Sequence, residues 1–324
     1  MNMKIQSFLI LILFLCFAWG CGDEGVLLEG LVPSGPSPLV DVGPVPEDIQ
    51  EILWGADADT LKAELKDYMD RDVHGGVIDH QINRICLRHE QEAYYGKYIS
   101  AGGVAIMGHS HIDDRVFYAA RDIVLGMTRK RPELRALLTP TREYRPGATR
   151  HDGIHDVTRR YTPSRKFRMI LVERDMSPTS IPEKHRGLGT VNYNTAPYGG
   201  EAGTNYAWAY VGNAESSNDI WIYHFFSHEF AHAIHFAIEL LDPTFDDRLK
   251  AAYDTARENN SFTATRTYNS SEYWAQAATD WFYRIVREPV YHDLVLQEDP
   301  LLYALLSEWF DLIDLRVVES RVYE

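Results

Sequence analysis

The sequence lacks the excess of positive charge that nucleic-acid binding requires. Lysine and arginine together number 32, against 47 aspartates and glutamates, so the formal net charge is −15 over 324 residues. Binding to phosphates depends on a concentrated basic surface that displaces counterions. We therefore expect no nucleic-acid partner. Hydrophobic residues make up 45% of the chain, which is enough for a globular protein with a sizeable core.

Long hydrophobic runs are also scarce. The unbroken apolar run at residues 8–17 follows Lys4 and is shorter than the roughly 20 residues that span a bilayer. This arrangement is typical of a signal peptide, which we predict over residues 1–20. The run leads into Ala18-Trp19-Gly20-Cys21, which resembles the lipobox of bacterial lipoproteins. We expect export and a lipid anchor at Cys21 in the bacterial cell envelope, with plain secretion as the alternative.

Cysteine is rare, with three residues in the whole chain. Cys16 lies in the predicted signal peptide and Cys21 is the predicted lipidation site, so only Cys86 remains in the folded body. An internal disulfide is thereby excluded from the mature protein. Residues 21–46 are rich in proline and glycine, a composition that predicts a tether between the anchor and the folded part.

Residues 47–324 predict one α+β domain, arranged in two lobes. The apolar runs at 104–107 and 166–173 favour buried strands, and from residue 218 onward the pattern is helical almost to the end. Asn218 and Asp219 offer an N-cap for the first of these later helices. The helices that we expect are 47–69 with an interruption near Gly55, 82–98, 115–130, 220–241, 246–258, 271–287 and 301–315.

Within the predicted helix 220–241, residues 228–232 read His-Glu-Phe-Ala-His. Two histidines four residues apart project from the same face of a helix, so both imidazoles can reach one metal ion. Zinc favours this arrangement, and Glu229 would lie beside the ion, where it can take a proton from zinc-activated water. A purely structural role would need a buried hydrogen-bond partner for each of these polar side chains. The motif predicts a zinc-dependent hydrolase.

A catalytic zinc site needs a third protein ligand and one open position. Residue 238 is isoleucine, so no further histidine follows at the spacing that some zinc peptidases use. We therefore expect a carboxylate from a later helix. Glu272 is the first candidate, and Asp280 is the alternative ligand or an outer partner. His224 and His235 lie near the motif, but we do not expect either to bind the metal.

The pairing of His-Glu-x-x-His with the later segment Glu272-Tyr273-Trp274-Ala275 resembles the gluzincin metallopeptidases, and most closely the anthrax lethal factor-like catalytic domain. Residues 95–131 are similar to a group of uncharacterised secreted proteins with the same motif. The resemblance implies a zincin-like fold with a small mixed sheet and a largely α-helical C-terminal half. It also implies Zn²⁺ bound by His228, His232 and Glu272, with Glu229 as general base.

Two positions depart from the family pattern. Gln276 stands where many relatives have a glutamate, and Thr265 stands where lethal factor-like enzymes have a tyrosine that stabilises the oxyanion. We expect Tyr268 to take that catalytic role. The predicted function is peptide-bond hydrolysis in a peptide or protein substrate. The alternatives are a catalytically weak lipoprotein of zincin fold that binds peptide or glycan, and a metal-dependent hydrolase of non-peptide amides.

Two further stretches allow a functional interpretation. The segment from His109 through His111 to Asp113 and Asp114 resembles in part the His-x-His-x-Asp-His loop of metallo-β-lactamase-type hydrolases, without its last histidine. Capping of the following helix explains both aspartates without a metal. Residues 197–206 are rich in glycine, asparagine and tyrosine, which fits either a strand edge for an extended peptide or an ordinary loop.

Overall fold

The computed structural model describes residues 41–71, 75–142, 166–185, 200–202, 206–212, 221–265, 267–283 and 291–311. All of these residues belong to one compact unit. The predicted signal peptide, Cys21 and most of the predicted tether lie outside the described residues. In the described part of the chain, no helix has both the length and the hydrophobicity needed to cross a membrane.

A mixed sheet of five strands is the centre of the described structure. Its strands are β1 (Lys97–Ala101), β2 (Val104–Gly108), β3 (Met169–Glu173), β4 (Gly200–Ala202) and β5 (Ala207–Val211). They lie in the order β1-β2-β3-β5-β4. β2, β3 and β5 are parallel, whereas β1 and β4 run antiparallel to their neighbours β2 and β5. The predicted α+β class with a small mixed sheet is confirmed.

Both faces of this sheet are buried. In β3, Met169 and Leu171 belong to the larger of two core clusters, whereas Ile170 and Val172 belong to the smaller one. Strands that are buried on both faces read as continuous apolar runs, which is why β2 and β3 are visible in the sequence. The predicted strand 166–173 begins later than expected, at Met169.

The helices of the first half differ at several ends from those predicted, and the helix expected over 115–130 ends at Met127. The expected break at Gly55 is confirmed, where φ is +81°. The expected helix 82–98 ends at Tyr94, because Lys97 and Tyr98 pair with β2 as part of β1. These helices are α1 (Glu47–Trp54), α2 (Ala58–Asp70), α3 (Gly75–Tyr94), α4 (Asp114–Met127), α5 (Glu133–Leu138) and the short α6 (Pro182–His185).

From Trp221 onward every described element is helical, as the apolar pattern predicts. The elements are a π-helical turn (Trp221–Phe226), α7 (Ser227–Leu241), α8 (Phe245–Glu258), α9 (Phe262–Thr265), α10 (Ser270–Tyr283), α11 (Tyr291–Glu298) and α12 (Pro300–Trp309). The predicted helix 301–315 was too long, since the chain becomes extended at Phe310. The predicted cap at residues 218 and 219 lies outside the described residues.

The start of the motif helix differs from the continuous α-helix that we expected over 220–241. Its first turn is π-helical, and the regular α-helix begins at Ser227. The Ser227 hydroxyl donates to the carbonyl oxygens of Tyr223 and His224. The hydroxyl thus provides a hydrogen-bond donor for two backbone carbonyl groups at the point where the π-helix changes to an α-helix. The histidine motif therefore begins immediately after this transition.

Candidate metal centre

The two motif histidines lie one turn apart near the start of α7. Their ring centroids are 4.9 Å apart and their planes are nearly perpendicular, at 85°. His232 is buried, and His228 is slightly more exposed. The four-residue spacing places both imidazoles on one face of the helix, as the sequence predicts. Neighbouring positions on α7, such as Phe230, Ala231 and Ile234, are fully buried in the larger core cluster.

Glu272 comes from α10 and meets both histidines. Its Oε2 lies 3.2 Å from His228 Nε2, and its Oε1 lies 3.5 Å from His232 Nε2. Among the described residues, His228, His232 and Glu272 form a group whose potential ligand atoms all lie within 4.8 Å of one another. The structure thus brings together the three residues that the sequence predicts as ligands.

The position of Glu272 is set by the start of α10 and by its packing on α7. The Asn269 side chain accepts a hydrogen bond of 2.8 Å from the Glu272 backbone N–H, as an N-cap does. Two residues further on, the buried Trp274 indole N–H donates to the carbonyl oxygen of Ala231 at 3.0 Å. This bond joins α10 directly to the motif helix. Glu272 therefore faces the histidines from a fixed backbone.

The charges of this cluster are strongly coupled. Burial alone would raise the pKa of Glu272, but its hydrogen bonds with His228 and His232 outweigh burial and hold that pKa far below the ordinary value. Burial lowers the pKa of His232, and the nearby Glu272 only partly offsets this effect. Both shifts favour an ionised carboxylate beside a neutral imidazole. These are the protonation states that a divalent metal ion requires of its ligands.

Two outer contacts orient the side chains of the predicted ligands. His232 Nδ1 lies 3.1 Å from the Ser271 hydroxyl, so the ring can present its other nitrogen, Nε2, towards Glu272. The Tyr268 hydroxyl donates to Glu272 Oε1 at 3.1 Å, although the tyrosine is 79% exposed. Tyr268 therefore lies at the cluster, as expected. Sequence reasoning missed Ser271, because a serine next to a predicted ligand carries no signal of the partner it will contact.

Glu229, the predicted general base, is only 5% exposed. It lies against the edge strand β4: a Cβ placed on Gly200 would lie 2.5 Å from Glu229 Cγ and 2.6 Å from the carbonyl oxygen of Trp208. Only glycine allows this close approach of strand and carboxylate side chain. Sequence analysis singled out the glycine-rich stretch 197–206 but not this role of Gly200. Residues 197–199 lie outside the described residues.

The other residues considered near the motif lie outside this cluster. Asp280, the alternative ligand, does not belong to it. His224 lies one turn before His228 with ring centroids 6.4 Å apart, and burial together with His228 lowers its pKa to about 4. Gln276 is half-buried on α10, and Thr265 is exposed at the end of α9. Neither His224 nor Asp280 belongs to the group of His228, His232 and Glu272.

The described residues contain two further histidine–carboxylate groups. One is His235, Glu239 and Asp246, where α7 meets α8. His235 Nε2 lies 2.6 Å from Asp246 Oδ1 and 3.5 Å from Glu239 Oε1. The other joins His109 and His111 to Glu173 at the end of β3.

Comparison with known protein families, with curated proteins and with solved structures found no match to this chain. The function must therefore be argued from the geometry of these groups.

Proposed function

We propose that this protein is a zinc-dependent peptidase with a zincin-like fold. The observation that carries the proposal is the convergence of His228, His232 and Glu272, with the carboxylate of Glu229 one residue after the first histidine. Two imidazoles and one carboxylate are a common protein ligand set for catalytic zinc, which keeps its fourth position open. The proposed cofactor is therefore Zn²⁺.

The spacing of the donor atoms fits a zinc ion. Zinc–ligand distances of about 2.0–2.1 Å place the donor atoms of a tetrahedral site about 3.3 Å apart. His228 Nε2 lies 3.2 Å from Glu272 Oε2 and His232 Nε2 lies 3.5 Å from Glu272 Oε1, so each histidine nitrogen is at about this distance from one oxygen of the carboxylate. A bound zinc ion would polarise a substrate carbonyl and lower the pKa of a coordinated water. Ligation through His228 Nε2 and His232 Nε2 would require both of these nitrogens to be free of protons.

The side chains around the cluster supply the remaining chemistry. Glu229 takes one proton from the attacking water and delivers it to the leaving amine nitrogen, so that the carboxylate is regenerated. Its burial against β4 shields it from competing solvent. Tyr268 places a phenol hydroxyl at the cluster, where it can donate to the oxyanion that develops on the substrate carbonyl. Ser271 keeps the His232 ring in the orientation that the metal needs.

A peptide is the substrate class that the surrounding backbone favours. β4 is at one end of the strand order, and it pairs only with β5 among the described strands. An extended peptide can add to such an edge through main-chain hydrogen bonds. Gly200 on this strand lies against Glu229, so a peptide aligned with β4 would run past the general base. The geometry therefore supports peptide hydrolysis over hydrolysis of a small amide.

The test compares wild type with Glu229→Gln on a peptide library, with bound zinc measured in the same samples. General bases contribute about 10²–10⁴-fold to rate, so we expect cleavage to fall by that factor while zinc remains bound. Tyr268→Phe should retain zinc and lower kcat more than it changes KM. Asp280→Asn is the matched control, since it changes a carboxylate of α10 outside the cluster and should cut as wild type does.

One outcome of this comparison would contradict the peptidase proposal. If wild type holds zinc at this centre but cleaves no peptide that the Glu229→Gln variant leaves uncut, the peptidase proposal fails. A peptide- or glycan-binding lipoprotein would then be the better description. Retention of peptides by the zinc-loaded wild type, and their release when zinc is chelated, would identify that alternative.

We also propose that the mature protein is tethered to a membrane of the cell envelope through lipid on Cys21. The lipobox-like sequence before this residue supports the proposal. Labelling of cells with radioactive palmitate should mark the protein, and Cys21→Ala should abolish the label. Export without any label in wild type would favour plain secretion.

A further inference from the structure

A second group of metal-binding side chains lies where the parallel strands β2 and β3 end. His109 follows the last residue of β2, and Glu173 is the last residue of β3. One imidazole nitrogen from each of His109 and His111 and one carboxylate oxygen of Glu173 lie within 4.8 Å of one another. The two rings are 4.5 Å apart between centroids. Residues far apart in sequence are thus brought together by strand pairing.

The loop that carries the histidines is held in place from both sides. The Ile112 side chain is buried, and its backbone N–H donates to the carbonyl oxygen of His109 at 3.2 Å. Lys97 of β1 donates to the Ile112 carbonyl oxygen at 2.7 Å and pairs with Asp114 at 2.6 Å. These bonds fix the turn between His109 and Ile112. The histidines are therefore presented on a defined backbone.

Two glycines permit the close packing beneath this loop. A Cβ on Gly96 would lie 2.5 Å from Ser110 Cβ, and a Cβ on Gly108 would lie 2.9 Å from both Ile112 Cδ1 and the carbonyl oxygen of Leu171. A side chain at either position would push the loop away from the sheet. Gly108 pairs in register with Leu171, two residues before Glu173, so this close contact lies near the carboxylate of the group.

The aspartates of the loop are already engaged, which leaves Glu173 as the carboxylate of the group. Asp113 caps α4 by accepting from the Arg115 backbone N–H at 2.9 Å, and it also pairs with the Arg115 side chain. The hydrogen bonds from Arg115 lower the pKa of Asp113 to about 2. Asp114 pairs with Lys97. The capping role that the sequence predicts for Asp113 is confirmed.

We propose that His109, His111 and Glu173 form a second binding site for a divalent transition-metal ion, with Zn²⁺ as the probe ion. Imidazole nitrogen suits zinc, copper, nickel and iron, and a carboxylate is compatible with each of them. Three protein ligands leave further coordination positions for water or another ligand. His111 is exposed and His109 is half-buried, so the ion exchanges with solvent. The third group, around His235, is a weaker candidate because it offers one imidazole and two carboxylates.

The experiment counts zinc on the untagged mature chain by equilibrium dialysis. His228→Gln combined with His232→Gln removes the first centre, and we expect this variant to retain one zinc per chain. Adding His111→Gln, or Glu173→Gln, should remove that zinc. Loss of an outer partner of a metal ligand lowers affinity about 10–100-fold, so loss of a ligand should cost at least as much. His80→Gln, an exposed histidine on α3, is the matched control and should change nothing.

Several outcomes would overturn the proposal. One is a double variant at His228 and His232 that is folded by circular dichroism and holds no zinc. Another is retention of the second zinc after both His111→Gln and Glu173→Gln. Loss of that zinc on His235→Gln instead would place it at the α7–α8 group. None of these readouts depends on peptidase activity, so failure here is separate from failure of the proposed function.

Discussion

Helix α7 contributes histidines to two histidine–carboxylate groups, which differ in composition and in the role that we infer for each. In the first, one carboxylate, Glu272, is shared by His228 and His232. In the second, one imidazole, His235, is shared by Glu239 and Asp246. Two imidazoles with one carboxylate suit zinc, whereas His235 lies between two carboxylates and connects α7 to α8 through Asp246. The composition of the first group therefore fits metal binding, whereas that of the second fits helix packing.

Packing around the two groups reinforces this difference. The His235 ring is buried and lies against Phe245 and Trp274, with centroids 5.4 and 6.4 Å away. Its Nε2 contact with Asp246 joins α7 to α8 across the turn at residues 242–244. His228 and Glu272 keep partial exposure, which a substrate needs to reach the centre. We infer that the group at His235 stabilises the helix pair that carries the metal centre.

The largest expected effect is a loss of zinc affinity that occurs on substitution in the first group and not in the second. Glu272→Ala removes a proposed ligand, and we expect zinc to bind at least about 100-fold more weakly at this centre, because even outer partners of ligands contribute 10–100-fold. Asp246→Asn, in the other group, should leave zinc affinity unchanged. Competition with a chromophoric chelator measures both. A loss on Asp280→Ala with none on Glu272→Ala would transfer the third ligand to Asp280.

The next largest effect is a loss of folding stability, which should be greater for substitution of His235 than for substitution of His228. His235→Gln should lower the free energy of unfolding of the zinc-free protein by about 1–3 kcal/mol, because the buried Glu239 and the half-exposed Asp246 lose the partner they share. Its zinc affinity should remain that of wild type. His228→Gln removes a proposed ligand, so it should weaken zinc binding and destabilise the zinc-free protein less than His235→Gln does. Urea unfolding followed by circular dichroism provides the comparison. Equal destabilisation by both substitutions would contradict the division of roles.

The candidate metal centre was more predictable from sequence than the sheet around it. The spacing of His228 and His232 is a local property of a helix, and Glu272 lies at the start of an amphipathic helix. Strands β1 and β5 were missed, because their pairing partners are distant in sequence and their patterns are short. The glycine at position 200 is explained only by the approach of β4 to Glu229. Such contacts require the tertiary structure.

The same limit explains why the other two groups were not predicted. Asp246 lies in the first turn of α8, and its contact with His235 depends on how the chain turns between the helices. Glu173 was recognised only as the end of a buried strand, and the sequence offered Asp113 and Asp114 as nearer carboxylates for the histidine loop. Helix capping and a lysine pair occupy those aspartates. Proximity in sequence was therefore a poor guide to the carboxylate that joins each histidine.

The smallest expected effect concerns the response of the zinc-free protein to acid. His232 has an ordinary pKa of 6.5 that burial lowers in the folded state, and Glu272 has an ordinary pKa of 4.5 that is lowered by its hydrogen bonds with His228 and His232 in spite of burial. A group whose pKa is lowered by folding contributes stability above its unfolded pKa and loses it as the pH falls. Stability should therefore decline below pH 6.5 through His232 and His224, and further below pH 4.5 through Glu272.

Each histidine can contribute no more than about 1.4 kcal/mol per pH unit to this slope. His232→Gln in the zinc-free protein should make the decline between pH 6.5 and 4.5 shallower, leaving the contribution of His224, whose pKa is about 4. His80→Gln, with an exposed ring, is the control and should keep the wild-type slope. Thermal unfolding across this range in the presence of a chelator measures the slopes. A slope for His232→Gln equal to that of wild type would mean that burial does not hold this imidazole neutral. The fold would then not supply the protonation state that zinc binding requires.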